Sequence, residues 1–248
     1  MSERPKPAAK PLPPLRVAAA ESGFRVMVGD RPWRTPGGGE LVVPSRPLAE
    51  AIAAEIAGAR ESGKAGAVRL DALGLTRLAA TAIDRIAPNP EATARALLAY
   101  TETDLVCYRA EVRSDLRARQ DTAWQPLVDW LEGAFGARLI AVEGVMPAAQ
   151  PSPALDALSV ALGKYDAFVL AGLGLAVQTA GSLVVGLALA EGRLDAAEAF
   201  ALAELEETFQ NEQWGEDAEA LARRRLRGED LVLAERFLKL VGARGSRA

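Results

Sequence analysis

The residues best placed to do chemistry lie in the run Phe209-Gln210-Asn211-Glu212-Gln213-Trp214-Gly215-Glu216-Asp217. A helix turns about 100° per residue, so Leu202, Leu205 and Phe209 share one face and are expected to pack inward. Glu206, Gln210, Gln213, Trp214 and, if the helix persists, Asp217 fall on the adjoining face. That is a polar stripe with an aromatic edge. Carboxylates and amides beside a large aromatic suit a grip on another protein: charge sets register and the indole supplies contact area. The alternative is a solvated helix face with Trp214 folded back on the core. Gly215 is the expected helix end.

Catalysis has less to stand on. The chain contains no histidine, which removes the commonest proton shuttle near neutral pH and the commonest metal ligand. Asp71, Glu204, Glu206 and Glu207 could form a paired-carboxylate site, yet no second motif supplies a nucleophile or a metal set. Gly37-Gly38-Gly39 lacks the Lys-Ser or Lys-Thr of a phosphate loop and no helix opens there, so it reads as a turn. Cys107 is the only cysteine. It allows no internal disulfide, fits a reducing compartment, and sits in Leu105-Val106-Cys107-Tyr108 as a small buried hydrophobe. No cofactor is implied.

Half of the 248 residues are hydrophobic and the net charge is −4. The core can be sizeable, and no concentrated basic surface argues for nucleic acid. Ala167 to Ala190 carries no charge and is dotted with glycine. Gln178 and Thr179 at its middle and acids at both flanks argue against stable membrane insertion. It reads as one kinked helix or two abutting ones, with small residues allowing close approach. Met1 to Leu15 is rich in proline and lysine and is expected to be an extended tail. With no secretory or matrix-targeting pattern, a cytoplasmic location is expected.

The elements that must position the stripe follow from periodicity. Phe24–Val28, Trp33–Thr35 and Leu41–Val43, separated by Gly29-Asp30-Arg31-Pro32 and the triple-glycine turn, form a small antiparallel meander. Ser45 caps a helix from Arg46 to Arg60 with Leu48, Ile52 and Ile56 on one stripe. Helical patterns follow at Leu75–Ile86, Glu91–Tyr100, Val112–Phe135 (with Pro126 a candidate break), Ala154–Leu162, Leu194–Trp214 and Asp217–Val241. Residues 104–109 fit a short strand or a helical extension. Leu139–Val142 looks strand-like, and whether it returns to the first sheet is open. The fold class is α+β: a tail (1–15), a small N-terminal antiparallel β-containing domain (16–70) and a larger all-helical domain (71–248). Trp33 and Arg34 beside the hairpin are a further candidate partner contact, unless the tryptophan fills the core of the small sheet. Arg77, Asp84 and Arg85 on the helix 75–86 either pair across elements or meet a ligand.

Ordered stretches across residues 22 to 240 carry a resemblance. They are Val28-Gly29-Asp30-Arg31-Pro32-Trp33-Arg34-Thr35-Pro36, Leu41-Val42-Val43-Pro44-Ser45 with Leu48-Ala49, and Leu75-Thr76-Arg77-Leu78-Ala79 with Thr81-Ala82-Ile83-Asp84-Arg85. Thr103-Asp104-Leu105 with Tyr108, Trp124-Gln125-Pro126-Leu127, Gly181-Ser182-Leu183 and Glu206 through Gly215 follow. Together they resemble the assembly chaperones of F-type ATP synthase that bind the free alpha subunit, found in mitochondria and related bacteria. Gln125 departs from the aspartate expected of that family. The resemblance implies a non-enzymatic chaperone whose partner is the alpha subunit and whose acidic helix near Glu206 matters for function. The competing expectation is a small-molecule enzyme using carboxylates in an interdomain cleft, and a third is a membrane-associated factor using residues 167–190.

Overall fold

The structure is a computed structural model and describes residues 13–62, 73–144, 146, 148–215 and 217–242. It opens with a four-stranded antiparallel sheet built around β2 (Gly23–Val28). β1 (Leu15–Ala20) pairs with β2 along its whole length, Leu15 opposite Val28 and Ala20 opposite Gly23. β3 (Arg31–Pro32) and β4 (Val42–Val43) pair with β2 as well. Antiparallel pairing from Phe24 onward is present as expected, but its next strand forms at Arg31–Pro32, where a turn was expected, rather than at Trp33–Thr35, and β1 was not expected. Its Leu-Arg-Val-Ala-Ala-Ala sequence is short of the β-branched residues that mark a strand, and the tight turn at Glu21-Ser22 makes it one. Leu15, placed in the tail, therefore belongs to the sheet. The rest of the tail lies outside the described residues. Trp33 and Arg34 follow β3, and only Arg34 makes a bridge, to Glu40.

α1 (Arg46–Ser62) begins where expected, with Ser45 Oγ accepting from Leu48 N. Leu48, Ile52 and Ile56 are fully buried beneath the sheet. Glu55 reaches from α1 to accept from the backbone of Leu75 and Thr76, capping α2 (Gly74–Thr81) across elements. The helix then widens into a π-helical turn over Ala82–Ile86. The expected boundary near residue 70 lies outside the described residues.

α3 (Pro90–Leu98) leads through a 3-10 turn to Asp104. Residues 104–109 are neither of the two expected forms alone. A 3-10 turn (Leu105–Cys107) is followed by β5 (Tyr108–Arg109), which pairs in parallel with β6 (Val142–Glu143). The strand-like run 139–142 thus returns to β5 and not to the N-terminal sheet. α4 (Asp115–Phe135) runs undivided through Pro126. α5 (Ser152–Leu162) precedes α6 (Ala167–Ala180) and α7 (Leu183–Ala190), the uncharged segment resolved into two helices. Every residue of α7 is buried. A Cβ on Gly186 would lie 2.4 Å from Val177 Cγ2, and one on Gly172 2.8 Å from Leu238, so these glycines set the helix approach. Among the described residues no helix is long and apolar enough to cross a membrane.

The C-terminal pattern splits where a single helix was expected. α8 (Ala196–Ala203) ends at Glu204, α9 (Leu205–Trp214) follows, and α10 (Ala218–Val241) closes the fold. α10 lies along α6 and α8 and also touches α1, whose cap Ser45 donates to Leu240 O. This contact ties the N-terminal elements to the last helix.

Candidate functional site

α9 is the least buried helix of its length: none of its residues is fully covered. It rests on α4 and α8. Its lower side is polar as much as apolar. Arg119 of α4 donates to Glu212 Oε1 at 2.9 Å, and its guanidinium lies 4.9 Å above the Phe209 ring. Gln120, wholly buried, donates from Nε2 to Glu206 Oε1 at 2.6 Å, and its Oε1 accepts from Ala110 N. Leu202 and Leu205 pack at the edge of the core as expected. Phe209 does not: it is half-buried, with the Arg119 guanidinium over its ring.

α8 and α9 meet at Glu204. Glu204 is 1% exposed and its two oxygens face Arg224 Nε at 3.0 Å and Arg227 Nη1 at 2.8 Å, both on α10. Burial pushes its carboxyl up from the ordinary value, while Arg227 and Arg224 pull it back. Glu204 is an anchor, not a member of an open carboxylate pair. Asp71 lies outside the described residues.

The stripe itself points outward. Gln210, Gln213 and Trp214 are exposed, the indole to 84%. A tryptophan left that open at a helix end costs apolar hydration that a core position would relieve. Glu206 is half-covered, one oxygen held by Gln120. Among the described residues Glu207 lies 3.9 Å from Arg227 and Glu212 pairs with Arg119, whereas Glu206 has no cation. The Arg119 hydrogen bond holds the Glu212 carboxyl below its ordinary value. Asp217 leaves the stripe. Gly215, at φ 85°, ends α9 in a conformation that side chains resist, and Asp217 becomes the cap of α10, accepting from Ala220 N.

Trp33 and Arg34 stand apart from α9, in the sheet that packs on α1. Trp33 is half-buried against the core with Arg60 5.8 Å from its ring, and Arg34 donates to Gly38 O. Asp84 pairs across elements: it accepts from Thr35 Oγ1 at 2.6 Å and Gly37 N at 2.8 Å, gripping the triple-glycine turn.

Two buried nodes escaped the sequence. Asp104 accepts from Val106 N and Ser182 Oγ on one oxygen and from Leu183 N and Val184 N on the other. It caps α7 from 78 residues away. Burial pushes its carboxyl up to about 6 against those donors. Trp124 donates to Leu202 O, and buried Arg109 lies 5.3 Å from its ring. Burial also pushes the Cys107 thiol up to about 12, an inert setting. Among the described residues no cluster could hold a metal ion, and the two carboxyls raised by burial are structural caps and anchors rather than cleft groups.

The chain resembles proteins of known structure over nearly all its length. A point mutant of Atp12p from Paracoccus denitrificans is 36% identical, over 94% of this chain and 97% of that one, with a TM-score of 0.86. Atp12 from Paracoccus denitrificans itself gives 36% identity over 93% and 97%, with a TM-score of 0.85. Atu1473 from Agrobacterium tumefaciens, described as a candidate chaperone, is 40% identical over 92% of this chain and 84% of that one, with a TM-score of 0.84. Residues 14–132 match the family described as ATP12 chaperone protein. The protein belongs to the ATP12 chaperone family, the ATP synthase assembly chaperones whose ordered motifs its sequence carries.

Proposed function

We propose that this protein binds the unassembled alpha subunit of F-type ATP synthase and shields its subunit interface until the beta subunit replaces it. The observation that carries this reading is Trp214, 84% exposed at the end of a helix lined with acids and amides. Unassembled subunits expose apolar interfaces that aggregate unless covered. Trp214 supplies buried contact area, Gln210 and Gln213 supply adaptable hydrogen bonds, Glu206 meets basic groups of the partner, and Asp217, off the stripe at the head of α10 but exposed, meets a further one. Trp33 and Arg34 make a second, separate contact through the N-terminal sheet. The small β-containing domain (16–70) and the helical domain (71–248) act together in the cytoplasm. Release follows when the beta subunit competes for the same face, without catalysis. The net charge of −4 disfavours nucleic acid as the partner.

The test is co-purification with free alpha subunit. Trp214→Ala should lose the complex at the wild-type circular dichroism and melting temperature, and Glu206→Gln, whose amide oxygen still accepts from Gln120 Nε2, should weaken it while staying folded. Retention of full binding by both variants refutes the assignment of this face.

A further inference from the structure

A shallow groove of about 570 Å³ runs beside the root of α9, between the 103–116 segment, Gly144 and Glu206. Its walls are Leu105, Tyr108, Ala110 and Leu116, its two carboxylates are Glu111 and Glu206, and among the described residues its one cation is Arg109, which is buried and already engaged by Asp121 and Gln120 O. Its volume falls within the ~300–1,000 Å³ range of clefts that hold ligands. Three observations say what fits it. The walls are apolar and the neighbouring Val112 and Met146 are 61% and 78% exposed, so the apolar character continues onto the rim. Methionine is an adaptable contact residue on such surfaces. Among the described residues, neither Glu111 nor Glu206 has an ion-pair partner, in contrast to Glu204, Glu207 and Glu212, which each face an arginine. Finally, Glu206 belongs both to the groove and to the outward stripe ending in Trp214, so the two surfaces are continuous.

We infer that the groove is a second docking subsite, taking an apolar side chain from a partner segment that carries a lysine or arginine beside it. The apolar side chain fills the space between Leu105, Tyr108 and Leu116. The basic group lies against Glu206 and Glu111, whose charges are otherwise unmatched. The partner backbone then continues along α9 to Trp214. This deepens the proposed function and rests on it, since the segment belongs to the free alpha subunit. It also gives Gln120 a role: its bond to Oε1 aims the Glu206 carboxylate while the second oxygen stays available.

The full-length protein is titrated with purified alpha subunit, comparing wild type, Thr103→Trp, Glu111→Lys and Trp214→Ala. Thr103 is exposed on the groove wall, so an indole there occupies the space without entering the core. Thr103→Trp is expected to weaken binding at least tenfold, and Glu111→Lys to weaken it similarly while flattening its salt dependence. Should Thr103→Trp fail to fold, Glu111→Lys decides alone. Wild-type affinity in both groove variants, with Trp214→Ala weakened, overturns the groove and leaves the α9 assignment standing. No binding by the wild type removes the parent reading and the groove with it. A wild-type oligomer that Thr103→Trp dissociates assigns the groove to self-association and equally overturns the inference.

Discussion

Replacing Asp104 with asparagine tests the buried node that joins the middle of the chain to α7. The aspartate serves four donors with two oxygens: Ser182 Oγ at 2.6 Å and Val106 N at 3.2 Å on Oδ1, Leu183 N at 2.7 Å and Val184 N at 3.2 Å on Oδ2. An asparagine has one acceptor oxygen. Its least costly placement turns that oxygen to Leu183 and Val184 and lets Ser182 Oγ, already accepting from Val185 N, accept from the new amide. Val106 N is then left buried without a partner, which costs about 1–3 kcal/mol. Losing a negative charge at the start of α7 adds about 0.5–1 kcal/mol. Asp104→Asn should therefore destabilise by about 1.5–4 kcal/mol at pH 7, read by urea unfolding.

The pH dependence makes the test sharper. Burial raises the folded-state pKa from 3.8 to about 6, so the folded protein holds a proton that the unfolded chain releases between those values. The associated stability is present in full below the unfolded value and is lost as pH rises through about 6. Wild type should gain about 1 kcal/mol from this group between pH 7 and pH 5, and the asparagine variant should gain none. The gap between them should widen on acidification. A constant or shrinking gap would show that the four donors keep the carboxylate ionised, and the reasoning from burial fails.

Other outcomes follow from named contacts. Trp214→Ala should change unfolding free energy by less than about 0.5 kcal/mol, since the side chain is already solvated; a larger loss on urea titration would mean the indole packs on the fold. Glu204→Ala leaves Arg224 and Arg227 facing each other across a buried position and should cost about 3 kcal/mol, near the lower end for a broken buried pair because Arg227 stays 40% exposed. Arg119→Ala removes only an exposed pair and a ring contact, so global stability should hardly change while amide exchange in α9 quickens. Gly186→Ala places a methyl 2.4 Å from Val177 Cγ2 and should lower stability by about 1–3 kcal/mol, measured by thermal unfolding.

Local chemistry was readable residue by residue. Ser45 capping α1, the Leu48, Ile52 and Ile56 stripe and Gly215 ending α9 each follow from the preferences of a few neighbouring residues, and the structure has them. The outward stripe of Gln210, Gln213 and Trp214 was legible for the same reason, since a helical turn alone decides which side chains share a face. Asp217 was placed on the stripe only if the helix persisted past Gly215; it does not persist, and Asp217 caps α10 instead. β1 was missed because three alanines signal no strand until β2 pairs with them.

What the amino-acid order determined by itself was therefore whatever one helix turn or one hairpin can enforce, together with the ordered motifs that mark the family. Only the folded chain decided which distant groups meet. Asp104 finds Ser182, Arg119 finds Glu212 and Gln120 finds Glu206 across 78, 93 and 86 residues. Periodicity is blind to such pairs because they depend on how packed helices cross. Among the described residues, that crossing sorts α9's acids into Glu207 and Glu212, which face arginines, and Glu206, which does not.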